Sequence, residues 1–124
     1  MTQQGHRSSQ AAVDLPDLLE RVGNDRDFLC ELIDLFKVEF PPVLQSLKQS
    51  VVREDLKNVE IASHTLKGML SELSVKRAAA IASQLEQLGR DGKTSGMTET
   101  LALLEHAVEN LFPELDGYAA EPKP

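Results

Sequence analysis

The 124-residue chain contains no tryptophan, one tyrosine and four phenylalanines, so aromatics make up 4% of it. Its apolar 41% is drawn instead from leucine, valine, isoleucine and alanine. Strands favour β-branched and aromatic side chains, so this poverty leans the chain toward helix. The single cysteine, Cys30, excludes an internal disulfide. It sits among apolar residues and reads as a small core residue, and the chain reads as a protein of a reducing compartment. Positive charge is also short. Thirteen Lys and Arg face twenty Asp and Glu, for a net charge of −7, and no Lys/Arg cluster stands out. A nucleic-acid binder needs a basic face to meet phosphates, and an anionic membrane surface attracts basic segments. Neither partner is expected. No apolar run approaches membrane-spanning length, and Met1–Arg7 has no apolar signal core. A cytoplasmic location is the expectation.

What is present is helical periodicity. Residues 1–10 are polar and aperiodic and read as a tail, as do residues 119–124. Residues 11–118 read as one domain, a size that fits a single core. A short helix is predicted from Asp14 or Leu15 to Val22, capped by Asp14, with Pro16 in its first turn and Gly23 ending it. A second, capped by Asn24 or Asp25, carries Phe28, Leu29, Leu32, Ile33, Phe36, Phe40, Val43, Leu44 and Leu47 at helical spacing. Pro41-Pro42 predicts a kink there, with the stripe continuing in phase beyond it. A third helix is expected from about Asp55 to Leu73, and a fourth from Val75 to about Leu88, capped by Ser74. The stretch from Gly89 to Gly96 has loop composition. A fifth starts near Thr98 and runs through Phe112, its end loosened by Pro113 and Gly117. Four longer helices with short connections predict an all-α, antiparallel four-helix bundle with an additional short N-terminal helix.

The segment that carries chemistry is Ala62-Ser63-His64-Thr65-Leu66-Lys67-Gly68-Met69. At about 100° per residue, Leu56, Val59, Ala62, Leu66, Met69, Leu70 and Leu73 share one face, which must meet the core. His64 falls nearly opposite, with Lys57, Glu60, Lys67, Gly68 and Ser71. Lys67 and Gly68 are therefore its neighbours at i+3 and i+4. A mid-helix glycine costs roughly 1 kcal/mol relative to alanine. Gly68 neither caps the helix nor faces the core, which leaves access for another protein as its reason. Ile61 leaves the apolar stripe and lies near Gly68, where it could form part of a docking patch. A neutral imidazole is a nucleophile at physiological pH, and a neighbouring cation steadies phosphoryl oxygens. His64, Lys67 and Gly68 meet these needs at one spot. Glu60, one turn before His64, could orient the ring or be an ordinary solvated charge. His6 and His106 have no such constellation. No Gly-rich phosphate loop, metal-ligand spacing or Ser-His-Asp arrangement is evident, so no cofactor, metal or autonomous enzyme activity is implied.

His64-Thr65-Leu66-Lys67-Gly68 resembles the His-x-Leu-Lys-Gly motif of histidine phosphotransfer (HPt) domains. Asp55 and Leu56 look like that family's acidic turn ahead of its active helix. Leu73 and Leu85-Glu86 fall at its later spacing, and Leu32-Ile33-Asp34-Leu35-Phe36 resembles its preceding long helix. The likeness covers roughly residues 14–112. It implies a four-helix bundle that carries a phosphoryl group on a histidine, exchanged with receiver-domain aspartates and fed by a hybrid sensor kinase. By that resemblance His64 is the phosphorylated residue, Lys67 its supporting cation and Gly68 its clearance glycine. Ile61, Thr65 and Ser71 are the expected partner-binding residues around it, and a monomer is expected. Two departures stand out: Met69 where many members have a small residue, and Ser74 where many have glycine. A bundle that only binds a signalling partner, its histidine never phosphorylated, is the alternative reading.

Overall fold

The computed structural model describes residues 11–120. Within them the chain forms six helices: α1 Leu15–Arg21, α2 Arg26–Arg53, α3 Leu56–Glu72, α4 Lys76–Asp91, α5 Met97–Val108 and α6 Leu111–Ala119. The long α2, α3 and α4 follow one another through connections of a few residues and pack side by side as an antiparallel series. The fourth wall is α5 continued by α6, which lean on α4 and α2 respectively. The core along the axis is built from Leu29, Ile33, Leu47, Leu66, Leu70, Leu85 and Leu104, each almost fully buried. The apolar face foreseen for α3 is the buried one, with Leu56 and Met69 at its partly covered margin.

Local chemistry explains most boundaries. Asp14, Asp25 and Asp55 each cap the following helix, accepting from the backbone N–H of Asp17, Phe28 and Asn58. Helix α2 runs unbroken through Pro41 and Pro42. The prolines cannot bond the carbonyls of Lys37 and Val38, but both rings are exposed and Val38 itself is 72% exposed, so water is at hand for those oxygens. Behind them Phe36, Phe40 and Phe112 pack ring to ring at centroid distances of 4.6–6.4 Å and hold the helix to α6.

Four expectations need correction. Ser74 does not cap α4. It takes a left-handed φ of 58°, donates its hydroxyl to Asp17 Oδ2 at 2.7 Å, and leaves Val75 as a cap without a side-chain bond. Helix α4 also runs three residues past Leu88, to Asp91, and stops at Gly92, which sits at φ 70°. Gly89 is thus inside the helix. A Cβ there would stand 2.8 Å from Glu60 N and 2.9 Å from Leu56 O, so it is the point where α4 touches the backbone of α3. The last helix is two helices. Pro113 would collide with the carbonyl of Glu109 in a continuous α-helix, so the chain breaks at residues 109–110 and Pro113 falls in the first turn of α6. Phe28, finally, remains 44% exposed at the start of α2.

Glu114 anchors the segment ahead of α1, its two carboxylate oxygens accepting the backbone N–H of Ala12 and Val13 at 2.9 and 3.0 Å. Cys30 is half-buried, its Sγ 3.7 Å from Ala119 O. The last helix ends at Ala119. Residues 1–10 and 121–124, and with them His6 and most of the two expected tails, lie outside the described residues.

Candidate functional site

Helix α3 presents His64 halfway along its length with the side chain 67% exposed. Beneath it, α4 raises Glu86, whose side chain is only 8% exposed. An unpaired carboxylate at that depth would be costly. Three cationic or polar groups converge on it: His64 Nδ1 lies 3.0 Å from Oε2, Lys67 Nζ 2.8 Å from Oε1, and Arg90 Nη2 2.9 Å from Oε2. Arg90 also donates through Nε to Glu60 Oε2 at 3.2 Å, and Lys57 approaches Glu60 at 3.8 Å. The network runs Lys57–Glu60–Arg90–Glu86 and ends on the pair His64 and Lys67, with every member on α3 or α4.

The electrostatics follow from this geometry. The Lys67 ammonium holds the Glu86 carboxyl below its ordinary range; burial pushes it the other way, and the bond from His64 adds to the lowering. Glu86 is thus an anion in the folded protein, and an ionised carboxylate can only accept. His64 Nδ1 must therefore carry the hydrogen, which leaves Nε2 with its lone pair. Among the described residues nothing bonds Nε2.

Gly68 completes the arrangement. Nothing lies within 4 Å of the place a Cβ would take, so the surface one turn beyond His64 is open. Lys67 is one-third exposed, its ammonium reaching the same carboxylate as the imidazole. Ile61 is 51% exposed, as its departure from the stripe suggests. Thr65 is exposed but turns its hydroxyl back to Ile61 O at 3.1 Å, and Ser71 is half-buried two turns on.

Glu60 belongs to Arg90 rather than to His64. The groups that sequence reasoning missed as site residues are Glu86 and Arg90. One signal was available: they form an i, i+4 pair on one helix. That their face opposes His64 is a matter of how α4 lies on α3. His106 is exposed, with Glu109 as its ion-pair partner at 3.5 Å, and has neither a buried carboxylate nor a lysine beside it.

A family model, the Hpt domain, matches residues 31–113, about two thirds of the chain. No curated protein and no solved structure matches it. The matched span begins in α2 and ends in α6, enclosing α3, α4, the His64–Glu86 pair and the open surface at Gly68. The chain, helical throughout its described core, belongs to the Hpt-domain family, whose members carry out histidine phosphotransfer in phosphorelays.

Proposed function

We propose that His64 is the phosphoryl carrier, accepting the group on Nε2 from a receiver-domain aspartate or a hybrid sensor kinase and passing it to another response-regulator receiver. The observation that carries this reading is the exposed imidazole whose Nδ1 is fixed on a buried carboxylate. The nucleophilic nitrogen is free, the ring's orientation is set, and a lysine stands one turn away. In the transfer the Nε2 lone pair attacks phosphorus as the P–O bond to the aspartate breaks. Lys67, whose ammonium reaches the same carboxylate, is the charge that steadies the phosphoryl oxygens. Gly68 leaves room for the partner, with Ile61, Thr65 and Ser71 around the contact. The protein acts as a carrier between partners, as a cytoplasmic monomer, with no kinase activity of its own.

The test is labelling by a phosphorylated receiver. Wild type should acquire an acid-labile, base-stable phosphoryl group, and His64→Gln should lose it with helical content unchanged. Label that persists on the His64→Gln protein would move the site to another histidine and end this assignment.

A further inference from the structure

A phosphorylated imidazole transfers its phosphoryl group well only when its other nitrogen is protonated. The P–N bond then breaks with the electron pair going to Nε2, and a neutral imidazole departs. With Nδ1 bare, the leaving group would be an imidazolide anion. A carrier working near neutral pH must therefore keep a proton on Nδ1 after the phosphoryl group has arrived, although an imidazole in water ordinarily changes its protonation near that pH.

We propose that Glu86 is a positioning residue that keeps this proton on Nδ1 of phosphorylated His64, so that the protein remains a competent phosphoryl donor above neutral pH. The inference rests on the carrier reading of His64 and extends it to the donor half-reaction. The geometry has two parts. Oε2 of Glu86 stands 3.0 Å from Nδ1, close enough to hold the N–H in a charge-assisted hydrogen bond. The same carboxylate is also bonded by Lys67 at 2.8 Å and Arg90 at 2.9 Å. Two permanent cations make it a weak base. It accepts the hydrogen bond without removing the proton, which a strongly basic carboxylate at this distance would do.

The charged groups facing the pair are Lys67, Glu60 and Lys57 on α3 and Arg90 on α4, and Arg90 shares its charge with Glu60. The cations of this set keep Glu86 ionised, and its negative charge in turn favours the positive form of the phosphorylated ring. In transfer, the phosphoryl group leaves Nε2 for a carboxylate oxygen of the receiver. The bond pair returns to Nε2, and the proton stays on Nδ1. Histidine ends neutral and the acyl phosphate takes the charge, so no proton enters or leaves.

Phosphoramidate, a small-molecule donor, can load the histidine without a partner protein. ³¹P and ¹⁵N NMR then follow the phosphorylated ring of wild type and Glu86→Gln across pH. Glutamine keeps an acceptor oxygen and removes only the charge. The protonation midpoint of the phosphorylated ring should fall by about one pH unit or more in Glu86→Gln, the usual size of effect for a contacting opposite charge. Hydrolysis and transfer rates should lose their protonated-form advantage at a correspondingly lower pH. Equal midpoints in the two proteins would overturn the inference. If Glu86→Gln does not fold, the wild-type spectrum decides. An Nδ1-bound proton on the phosphorylated ring at pH 8 supports the proposal, and a bare Nδ1 at pH 8 refutes it. No phosphorylation of His64 under any donor would defeat the carrier reading itself, an outcome distinct from equal midpoints.

Discussion

Two glycines on neighbouring helices, Gly68 and Gly89, make opposite demands at the residue scale. Gly68 has open space where its Cβ would be, whereas a Cβ at Gly89 would meet the backbone of Glu60 and Leu56 at 2.8–2.9 Å. Gly68→Ala should therefore stabilise the bundle by up to about 1 kcal/mol, since alanine is the better helix former, while slowing phosphotransfer through loss of clearance. Gly89→Ala should destabilise by about 1–3 kcal/mol, because backbone cannot move aside as a flexible side chain would. Melting curves and transfer rates on both variants check the pair. A Gly68→Ala protein that is stable and transfers at the wild-type rate would remove the clearance role. Lys67 carries a related prediction. Its ammonium bonds a buried carboxylate, so Lys67→Ala should slow transfer and also lower stability by about 1–2 kcal/mol, more than an exposed lysine would. Unchanged unfolding midpoints in denaturant would show that Arg90 and His64 suffice for Glu86.

At the scale of elements, the turn between α3 and α4 is where α1 is fastened. Asp14 N donates to Ser74 O at 2.9 Å, Ser74 Oγ donates to Asp17, and Lys76 reaches Asp14 and Asp17 at 3.1 and 3.7 Å. The Ser74 hydroxyl is the chief cause that holds the Asp17 carboxyl below its ordinary range, with Arg21 and Lys76 assisting against desolvation. Ser74→Gly should relieve the left-handed backbone and at the same time release Asp17, whose titration should move up toward 3.8. The sign follows from the lowered value: the bond's stabilisation is present above the ordinary Asp range and lost as pH falls through it. Relative to wild type, Ser74→Gly should fare better near pH 3 than at pH 7. An NMR titration of Asp17 that does not move would break the argument. The turn also shows what sequence could and could not yield. Aspartate caps, the apolar face of α3 and the exposure of His64 follow from one helix's own periodicity, and all were legible. A serine in a left-handed turn looks like a helix cap, and nothing in its identity gives its φ. Gly89 looked like the start of a loop because its cause is the backbone of another helix. The α5–α6 break required weighing Pro113 against the carbonyl four residues earlier. Glu86 and Arg90 were visible as a pair, but their meeting with His64 is set by the lateral packing of α3 on α4, which no local pattern encodes.

For the whole molecule, the site network and the acid stability of the fold are the same interaction. The chain carries seven more acidic than basic residues, and most of its carboxylates lie at the surface, where ion pairs contribute little. Glu86 differs because it is buried and ionised, and because it joins α3 to α4 through Lys67, His64 and Arg90. Its folded-state titration lies below the ordinary value of 4.5. The stabilisation it supplies is therefore complete above that value and disappears as pH falls through the folded-state range, where the unfolded chain binds the extra proton. Glu86→Gln should be less stable than wild type by about 1–3 kcal/mol at neutral pH, the usual size for a hydrogen-bonded charge lost from a buried position. That difference should shrink as pH drops below 4, because the wild-type carboxyl then becomes neutral as well. Denaturant unfolding at a series of pH values measures both limbs. Converging curves place the bundle's acid sensitivity partly in the carboxylate under His64, so the charge that orders the transfer site also clamps the two helices that build it. Curves that stay parallel from pH 7 to pH 3 would separate the two roles and make Glu86 a residue of the site alone.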